Sequence, residues 1–137
     1  MKFEKSCGAI IVRKNDDTFE TLLIKMVKGH WSFPKGHVEN DETEVETALR
    51  EIKEETNLDV IIDTRFREIT TYSPCPGVLK DVIFFIAMAK TNDVVVQETE
   101  VESAMWVELN EAIDIVTFEC DRQILKKAIK YVEKQEV

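Results

Sequence analysis

The order of the predicted segments indicates an α/β protein, in which helices cover a β-sheet. Three observations predict this fold class. Short apolar, β-branched segments recur along the chain, an amphipathic helix interrupts them, and a second amphipathic helix lies near the end. No internal repeat, linker or change of composition divides the 137 residues, so we predict one domain over residues 1–137.

The N-terminal part of the sheet is predicted from two apolar segments. Residues 7–12 and 21–27 are short and rich in β-branched side chains, which is typical of strands. The polar turn at residues 15–18 joins them. Residues 29–36 contain a proline and two glycines, so we expect a loop there.

The best-defined helix is predicted for residues 43–56. Glu42 and Thr43 open it, because acidic residues and threonine are favoured where a helix begins. Asn57 follows, and asparagine tolerates the left-handed conformation that often ends a helix. The stripe expected to face the sheet consists of Val45, Ala48, Leu49, Ile52 and Thr56.

The C-terminal half supplies the remaining elements. Residues 60–71, 82–89 and 104–109 are predicted strands, because they are apolar and β-branched. Residues 73–78 contain two prolines and a glycine and are predicted to form a loop. Residues 111–116 and 121–134 are predicted helices, and the second has an apolar stripe.

Composition is typical of a soluble protein with a packed core. Hydrophobic residues make up 44% of the chain and charged residues 33%. No apolar run approaches the roughly 20 residues that span a bilayer, and residues 1–7 are too polar for a signal peptide, so no membrane partner is expected. The three cysteines lack a metal-ligand spacing, and we predict free thiols in a reducing cytoplasm.

The formal net charge is −9, which argues against broad, sequence-independent binding to nucleic acid, because such binding needs a basic surface. The charge does not exclude a phosphate-bearing substrate. It implies that such a ligand is bound through local cations or a metal ion.

Three carboxylates lie close together on the predicted helix 43–56. With about 100° per residue, Glu55 lies about 40° to one side of Glu51 and Glu54 about 60° to the other. The three like charges repel one another and weaken the helix unless a cation neutralises them. Mg²⁺ or Mn²⁺ fits, because hard carboxylate oxygens are the ligands these ions prefer. The alternative is a solvated acidic face paired with Arg50 and Lys53.

Residues 36–58 resemble the sequence signature of the Nudix family. That signature is a glycine, five residues, Glu, seven residues, Arg-Glu, an aliphatic residue, any residue, Glu-Glu, any residue, Gly and an aliphatic residue. Asn57 stands where the family has its final glycine, and asparagine is the best replacement where φ is positive. The matching residues are Gly36, Glu42, Arg50, Glu51, Ile52, Glu54, Glu55 and Leu58.

The resemblance extends beyond residues 36–58. Residues 33–39 (FPKGHVE) are similar to the segment that leads into the signature in the asymmetric diadenosine tetraphosphate hydrolases of this family. Residues 5–10 (KSCGAI) are similar to their first strand. Lys80, and Glu100 ahead of Trp106, also lie where that subgroup has related residues. The similarity therefore covers most of the chain, although it is most specific in residues 36–58.

The resemblance implies a Nudix α/β/α sandwich with a mixed β-sheet, in which residues 36–58 form a loop, a helix and a loop. It implies that Glu51, Glu54 and Glu55 are catalytic and bind Mg²⁺ or Mn²⁺. The backbone carbonyl of Lys35 is implied as a further metal ligand. Glu100 is implied as an extra ligand or a base from a distant loop.

Other residues are predicted from their chemistry to have supporting roles. Glu42 and Arg50 are expected to pair and hold the loop. Lys80 could hold a phosphate as a point charge, against the alternative of a solvated lysine. Tyr72 could stack on a base or be an ordinary strand residue. The side chains of Lys35 and His37 could contact the substrate or be structural.

The leading hypothesis from the resemblance is magnesium-dependent hydrolysis of diadenosine tetraphosphate to ATP and AMP, with a small-molecule nucleoside polyphosphate as partner. Two alternatives in the same family are removal of pyrophosphate from RNA 5′ ends and clearance of modified nucleoside triphosphates. An alternative of another class is a non-catalytic nucleotide sensor. The sequence leaves open a monomer or a homodimer.

Overall fold

The computed structural model describes residues 1–135 and has one mixed sheet at its centre. The last two residues of the predicted domain 1–137 lie outside that description. The hydrogen-bonded path runs β3-β2-β1-β6-β5, while β4 also pairs with β1 and β7 with β2. The strands are β1 (Lys2–Asn15), β2 (Thr18–Met26), β3 (Trp31–Ser32), β4 (Lys35–His37), β5 (Val60–Tyr72), β6 (Val78–Ala89) and β7 (Val101–Glu108).

Helices cover both faces of this sheet. They are α1 (Glu44–Thr56), α2 (Leu109–Ile115) and α3 (Glu119–Gln135). Neighbouring residues of β1 point to opposite faces, because side chains alternate along a strand. Ile10 and Val12 belong to the core under α2 and α3, whereas Ala9 and Ile11 belong to the core under α1. The predicted α/β/α arrangement is confirmed.

The sheet is mixed because β1 runs parallel to β6, while the other pairs are antiparallel. Lys2 to Val12 of β1 lies beside β6, and Ser6 to Gly8 also pairs with β4. The short strand β4 is therefore fixed against the centre of the sheet. Because β4 leads into α1, this pairing sets where α1 begins relative to the sheet.

The ends of α1 follow the sequence-based expectation. Thr43 is the N-cap: its side chain accepts a hydrogen bond from the Glu46 amide, and the Glu46 side chain accepts one from the Thr43 amide. Asn57 closes the helix with φ of 68° and donates its backbone N–H to the Lys53 carbonyl. The replacement of glycine by asparagine therefore preserves the left-handed end of the helix.

The rotation of α1 against the sheet differs from the prediction. Leu49, predicted to be buried, is 40% exposed, whereas Glu55 is only 2% exposed. Thr47, on the other side of the predicted stripe, is fully buried. The helical wheel gives the spacing of side chains but not the direction in which the helix faces the sheet. The buried arc is therefore shifted from Leu49 towards Glu55.

Several predicted boundaries also move. The predicted loop 29–36 contains the short strands β3 and β4, and β1 and β6 begin earlier than their apolar segments. The added residues at the start of β1 are mostly exposed, so hydrogen bonding to β6 and not apolar burial keeps them extended. Within the described part of the chain, no helix is long and apolar enough to cross a membrane.

Candidate functional site

Gly36 lies in β4, directly against the Glu51 side chain of α1. A Cβ atom at this position would lie 2.0 Å from the Glu51 carboxyl carbon and 2.2 Å from its Oε2, so any larger residue would displace that carboxylate. Gly36 lies opposite Cys7 in the β1–β4 pairing. The glycine thus provides the space in which the Glu51 carboxylate lies beside the β4 backbone.

Glu55 is buried beneath the same strand. Its Oε1 accepts a hydrogen bond from the Lys35 backbone N–H at 3.2 Å. Burial, and next the charge of Glu51, raise the pKa of Glu55 to about 8. Burial also raises the pKa of Glu51, although hydrogen bonding to Arg50 opposes the shift. Two neighbouring carboxylates are therefore held where negative charge is poorly solvated.

Arg50 anchors the loop that precedes α1. Its Nε donates to Glu42 Oε2 at 2.7 Å, and its Nη2 donates to Glu42 Oε1 at 3.0 Å and to the His37 carbonyl at 2.9 Å. These bonds to Arg50 lower the pKa of Glu42 to about 2. The predicted Glu42–Arg50 pair is confirmed. It fixes both ends of residues 37–42 relative to the helix.

The same guanidinium also contacts the carboxylates of α1. Arg50 Nη1 donates to Glu51 at 2.7 Å and to Glu54 at 3.3 Å. In this arrangement, no three acidic, histidine or cysteine side chains within residues 1–135 converge closely enough to enclose a metal ion. Arg50 therefore occupies hydrogen-bonding positions on Glu51 and Glu54 that a cation would otherwise take.

Glu100 approaches this cluster from the loop before β7. That loop is fixed to the end of α1, because the Val95 and Gln97 amides donate to the Thr56 and Glu55 carbonyls at 3.0 and 3.4 Å. The charge of Glu100 contributes to the raised pKa values of both Glu51 and Glu55. The structure therefore places the four predicted carboxylates, Glu51, Glu54, Glu55 and Glu100, in one region.

An open cleft of about 640 Å³ lies over three of these carboxylates. Glu51, Glu54 and Glu100 line it, whereas Glu55 lies beneath. His37 lies at its edge, with a 59% exposed side chain, 3.7 Å from Glu4. We call this cavity the acidic cleft. Basic side chains also line it: Lys28, Lys35 and Lys80.

A second cavity of about 610 Å³ adjoins the acidic cleft. Tyr72 of β5 and Lys80 of β6 are register partners and both line it, so the two predicted residues are neighbours. Phe118 lines it as well, with its ring centroid 5.2 Å from that of His30. We call this the aromatic cavity. It shares Lys28, His30, Lys35 and Lys80 with the acidic cleft.

His30 and Phe118 were not predicted as site residues. They come from distant segments that are joined by two hydrogen bonds: the Trp31 amide donates to the Thr117 side-chain Oγ1 at 2.8 Å, and the Thr117 amide donates to the Trp31 carbonyl at 3.1 Å. Neither segment carries a motif, so no local signal in the sequence could identify this pair.

The boundary between the two cavities is electropositive. Burial lowers the pKa of Lys80, because it disfavours the charged ammonium group. The neighbouring positive charge of Lys35 lowers it further. Burial, Lys35 and Lys28 likewise lower the pKa of His30. These groups repel one another in the absence of an anion, so a bound polyanion would relieve their repulsion.

Comparison with known proteins identifies the family. A model of the NUDIX domain matches residues 3–129, and the chain therefore belongs to the Nudix family. The fold and the site define it as a Nudix hydrolase, a class of enzymes that act on nucleoside polyphosphates and generally use divalent metal ions.

Within that class, the chain is similar over most of its length to asymmetrical bis(5′-nucleosyl)-tetraphosphatases. The rat enzyme is 33% identical over 93% of this chain and 95% of its own length, and the pig enzyme is 34% identical over the same shares. A Caenorhabditis elegans Ap4A hydrolase, solved as a binary complex, superposes with a TM-score of 0.87 at 31% identity, covering 96% of this chain and 98% of its own.

Proposed function

We propose that this Nudix hydrolase cleaves bis(5′-nucleosyl) tetraphosphates asymmetrically, for example diadenosine tetraphosphate to ATP and AMP. One observation carries the proposal: the acidic cleft and the aromatic cavity adjoin and share Lys28, Lys35 and Lys80. A nucleoside in the aromatic cavity would extend its phosphate chain past these lysines towards the carboxylates. The names of the similar enzymes support the same substrate class.

The carboxylate cluster fits a divalent cation. Glu51 and Glu55 are desolvated and repel each other, and the space beside Gly36 keeps the Glu51 carboxylate close to the β4 backbone. We assign Mg²⁺, or Mn²⁺ in its place, to the oxygens of Glu51, Glu54 and Glu55, with Glu100 and the Lys35 carbonyl as further ligands. When bound, the cation supplies polarisation of a phosphoryl oxygen and stabilises negative charge on the leaving group.

The basic residues would orient the polyphosphate. Lys35 and Lys80 line both cavities, and the charge of Lys35 lies close enough to lower the pKa of Lys80. Ammonium groups act on phosphates as point charges and offset the net charge of −9 locally. His37 lies at the edge of the acidic cleft, where its ring would contact an outer phosphate.

The aromatic residues would hold the nucleoside. Tyr72 and Phe118 line the cavity, and its volume of about 610 Å³ is within the range of small-molecule sites. Base stacking on an aromatic ring is worth about 1–3 kcal/mol and tolerates any base. This contact therefore provides binding energy without deciding which base is bound.

Hydrolysis requires a water molecule in line with the bond that breaks, and a group that takes its proton. The carboxylates that line the acidic cleft would take this proton, and Glu100 is the one that approaches from outside α1. Positioning and charge stabilisation would supply most of the rate enhancement, as in other phosphoryl transfers.

The test is an assay of the purified protein with Mg²⁺ and diadenosine tetraphosphate, with the products separated by chromatography. We expect ATP and AMP in equal amounts. Two molecules of ADP, or no products at any magnesium concentration, would contradict the proposal. Nucleoside triphosphates and a 5′-triphosphate RNA in the same assay separate the two alternative activities. The cytoplasmic location stays a prediction.

A further inference from the structure

Asp121 lies in the aromatic cavity but has no part in the function proposed above. It belongs to the first turn of α3, is only 4% exposed, and lines the cavity together with Tyr72 and Phe118. A carboxylate buried in the wall of this cavity is unusual, because carboxylates are rarely buried without a partner.

Few protein groups satisfy this carboxylate. Within the described residues, its one side-chain hydrogen-bond partner is the Cys120 thiol, with Sγ 4.0 Å from Oδ1. Lys35 acts on it electrostatically but forms no ion pair with it. Burial raises the pKa of Asp121 to about 6, so the side chain is mainly ionised at neutral pH. A buried carboxylate this short of donors favours a ligand that supplies them.

The chemistry of the carboxylate decides which base fits. An ionised carboxylate only accepts hydrogen bonds, and it offers two oxygens side by side. The Watson–Crick edge of guanine presents two adjacent donors, the ring N1–H and the amino group. The same edge of adenine presents one donor next to a ring nitrogen that accepts, and that nitrogen would face a carboxylate oxygen unfavourably.

We propose that Asp121 sets the base specificity of the aromatic cavity by accepting hydrogen bonds from the N1–H and the amino group of guanine, so that guanine nucleotides are preferred to adenine nucleotides. The inference rests on the proposed function in one respect, because it takes the aromatic cavity as the site of the nucleoside. Stacking on Tyr72 and Phe118 holds either base, and Asp121 distinguishes between them.

Calorimetric titration of GDP and ADP into the protein with Mg²⁺ tests the inference. We expect the wild type to bind GDP more tightly by about tenfold, the size of effect given by one well-formed pair of hydrogen bonds. Asp121→Asn should reverse the order, because an amide offers an acceptor and a donor that match adenine. Asp114→Asn, an exposed carboxylate on α2, is the matched control and should keep the wild-type order.

The titration of the wild type alone can overturn the inference: it does so if GDP and ADP bind equally tightly, or if ADP binds more tightly. Equal weakening of both ligands by Asp121→Asn would also overturn it, because a purely structural role predicts that result. Hydrolysis assays with diguanosine and diadenosine tetraphosphate separate the two proposals. Cleavage of neither, with the GDP preference intact, would reject the proposed function and support the role of Asp121.

Discussion

The buried carboxyl group of Glu55 destabilises the folded protein when it is ionised. A carboxyl group that is 2% exposed and close to Glu51 is disfavoured in its charged form, so its pKa rises to about 8. If Glu55 had only a packing role, an apolar residue could replace it without loss of stability. The cost is explained if the charge is required when a cation binds.

Glu55→Gln should stabilise the protein in metal-free buffer at pH 8. The pKa of Glu55 is 4.5 in the unfolded chain and about 8 in the folded protein. As the pH rises above 4.5, ionisation of Glu55 therefore favours the unfolded chain. Below pH 4.5 the variant should gain no stability from this effect. By pH 8 its free energy of unfolding should exceed that of the wild type by on the order of 2 kcal/mol or more. Thermal unfolding of both proteins at pH 5 and pH 8 measures it. A larger gain at pH 5 than at pH 8 would show that the sign is wrong.

The same substitution should abolish turnover. Loss of a charged cation ligand should lower kcat/KM at least about 100-fold, while the fold is kept. Glu111→Gln, an exposed carboxylate in the first turn of α2, is the control and should retain wild-type activity. Activity of Glu55→Gln within a few fold of the wild type would remove Glu55 from the site.

Gly36→Ala probes the close contact between β4 and α1. A methyl group there would lie 2.0 Å from the Glu51 carboxyl carbon, so the side chain must move. We expect a loss of about 1–3 kcal/mol of stability and a large fall in kcat. Denaturant unfolding and steady-state kinetics measure the two effects. Unchanged kcat would mean that the position of Glu51 does not matter for turnover.

At the level of elements, the N-terminus of α1 is held against the sheet by ion pairs. Glu44 accepts from Arg67 of β5 at 2.8 and 2.9 Å and also contacts Lys5 of β1. These contacts lower the pKa of Glu44 to about 2, chiefly through the hydrogen bond from Arg67. The helix that carries the carboxylates is thereby connected to two strands.

Glu44→Gln should weaken the protein at neutral pH but not in strong acid. The folded pKa lies below the ordinary value of 4.5, so the stabilisation is present above pH 4.5 and is lost as pH falls towards 2. Because Lys5 and Arg67 are half-exposed, we expect only about 1 kcal/mol at pH 7. Urea unfolding of wild type and variant at several pH values tests this. A constant difference down to pH 2 would refute the ion-pair explanation.

Variants of Asn57, at the C-terminal end of α1, test whether the departure from the family signature matters. Asn57 has φ of 68°, so Asn57→Gly should preserve both stability and activity, whereas Asn57→Ala should cost about 1 kcal/mol. Circular dichroism melts and the hydrolysis assay compare the two variants. If glycine were as destabilising as alanine, the asparagine side chain, which donates to the Asp93 carbonyl at 3.2 Å, would be the important feature.

Local features of α1 were predictable from sequence, whereas its orientation was not. Thr43 and Asn57 act on the helix they flank, so their identity alone indicates where it begins and ends. The exposure of Leu49 and the burial of Glu55 depend on how the finished helix rotates on the sheet. That rotation is decided by packing against β1, which the spacing of apolar residues does not specify.

At the scale of the whole molecule, the site is made where distant segments meet. Tyr72 and Lys80 were predicted from the chemistry of their side chains, and the pairing of β5 with β6 makes them neighbours. His30 is far along the chain from Phe118 and Asp121, and only the folded sheet brings these residues together. The carboxylate cluster was predictable because its members share one short helix; the aromatic cavity was not.

The central claim is that the carboxylates of the acidic cleft bind a divalent cation on which turnover depends. The most direct measurement is a calorimetric titration of Mg²⁺ into the metal-free protein, with hydrolysis of diadenosine tetraphosphate followed at the same magnesium concentrations. The account predicts saturable binding, a rate that rises with occupancy, and loss of both in Glu55→Gln but not in Glu111→Gln. Undiminished hydrolysis in the presence of a chelator, or no binding at saturating magnesium, would contradict it.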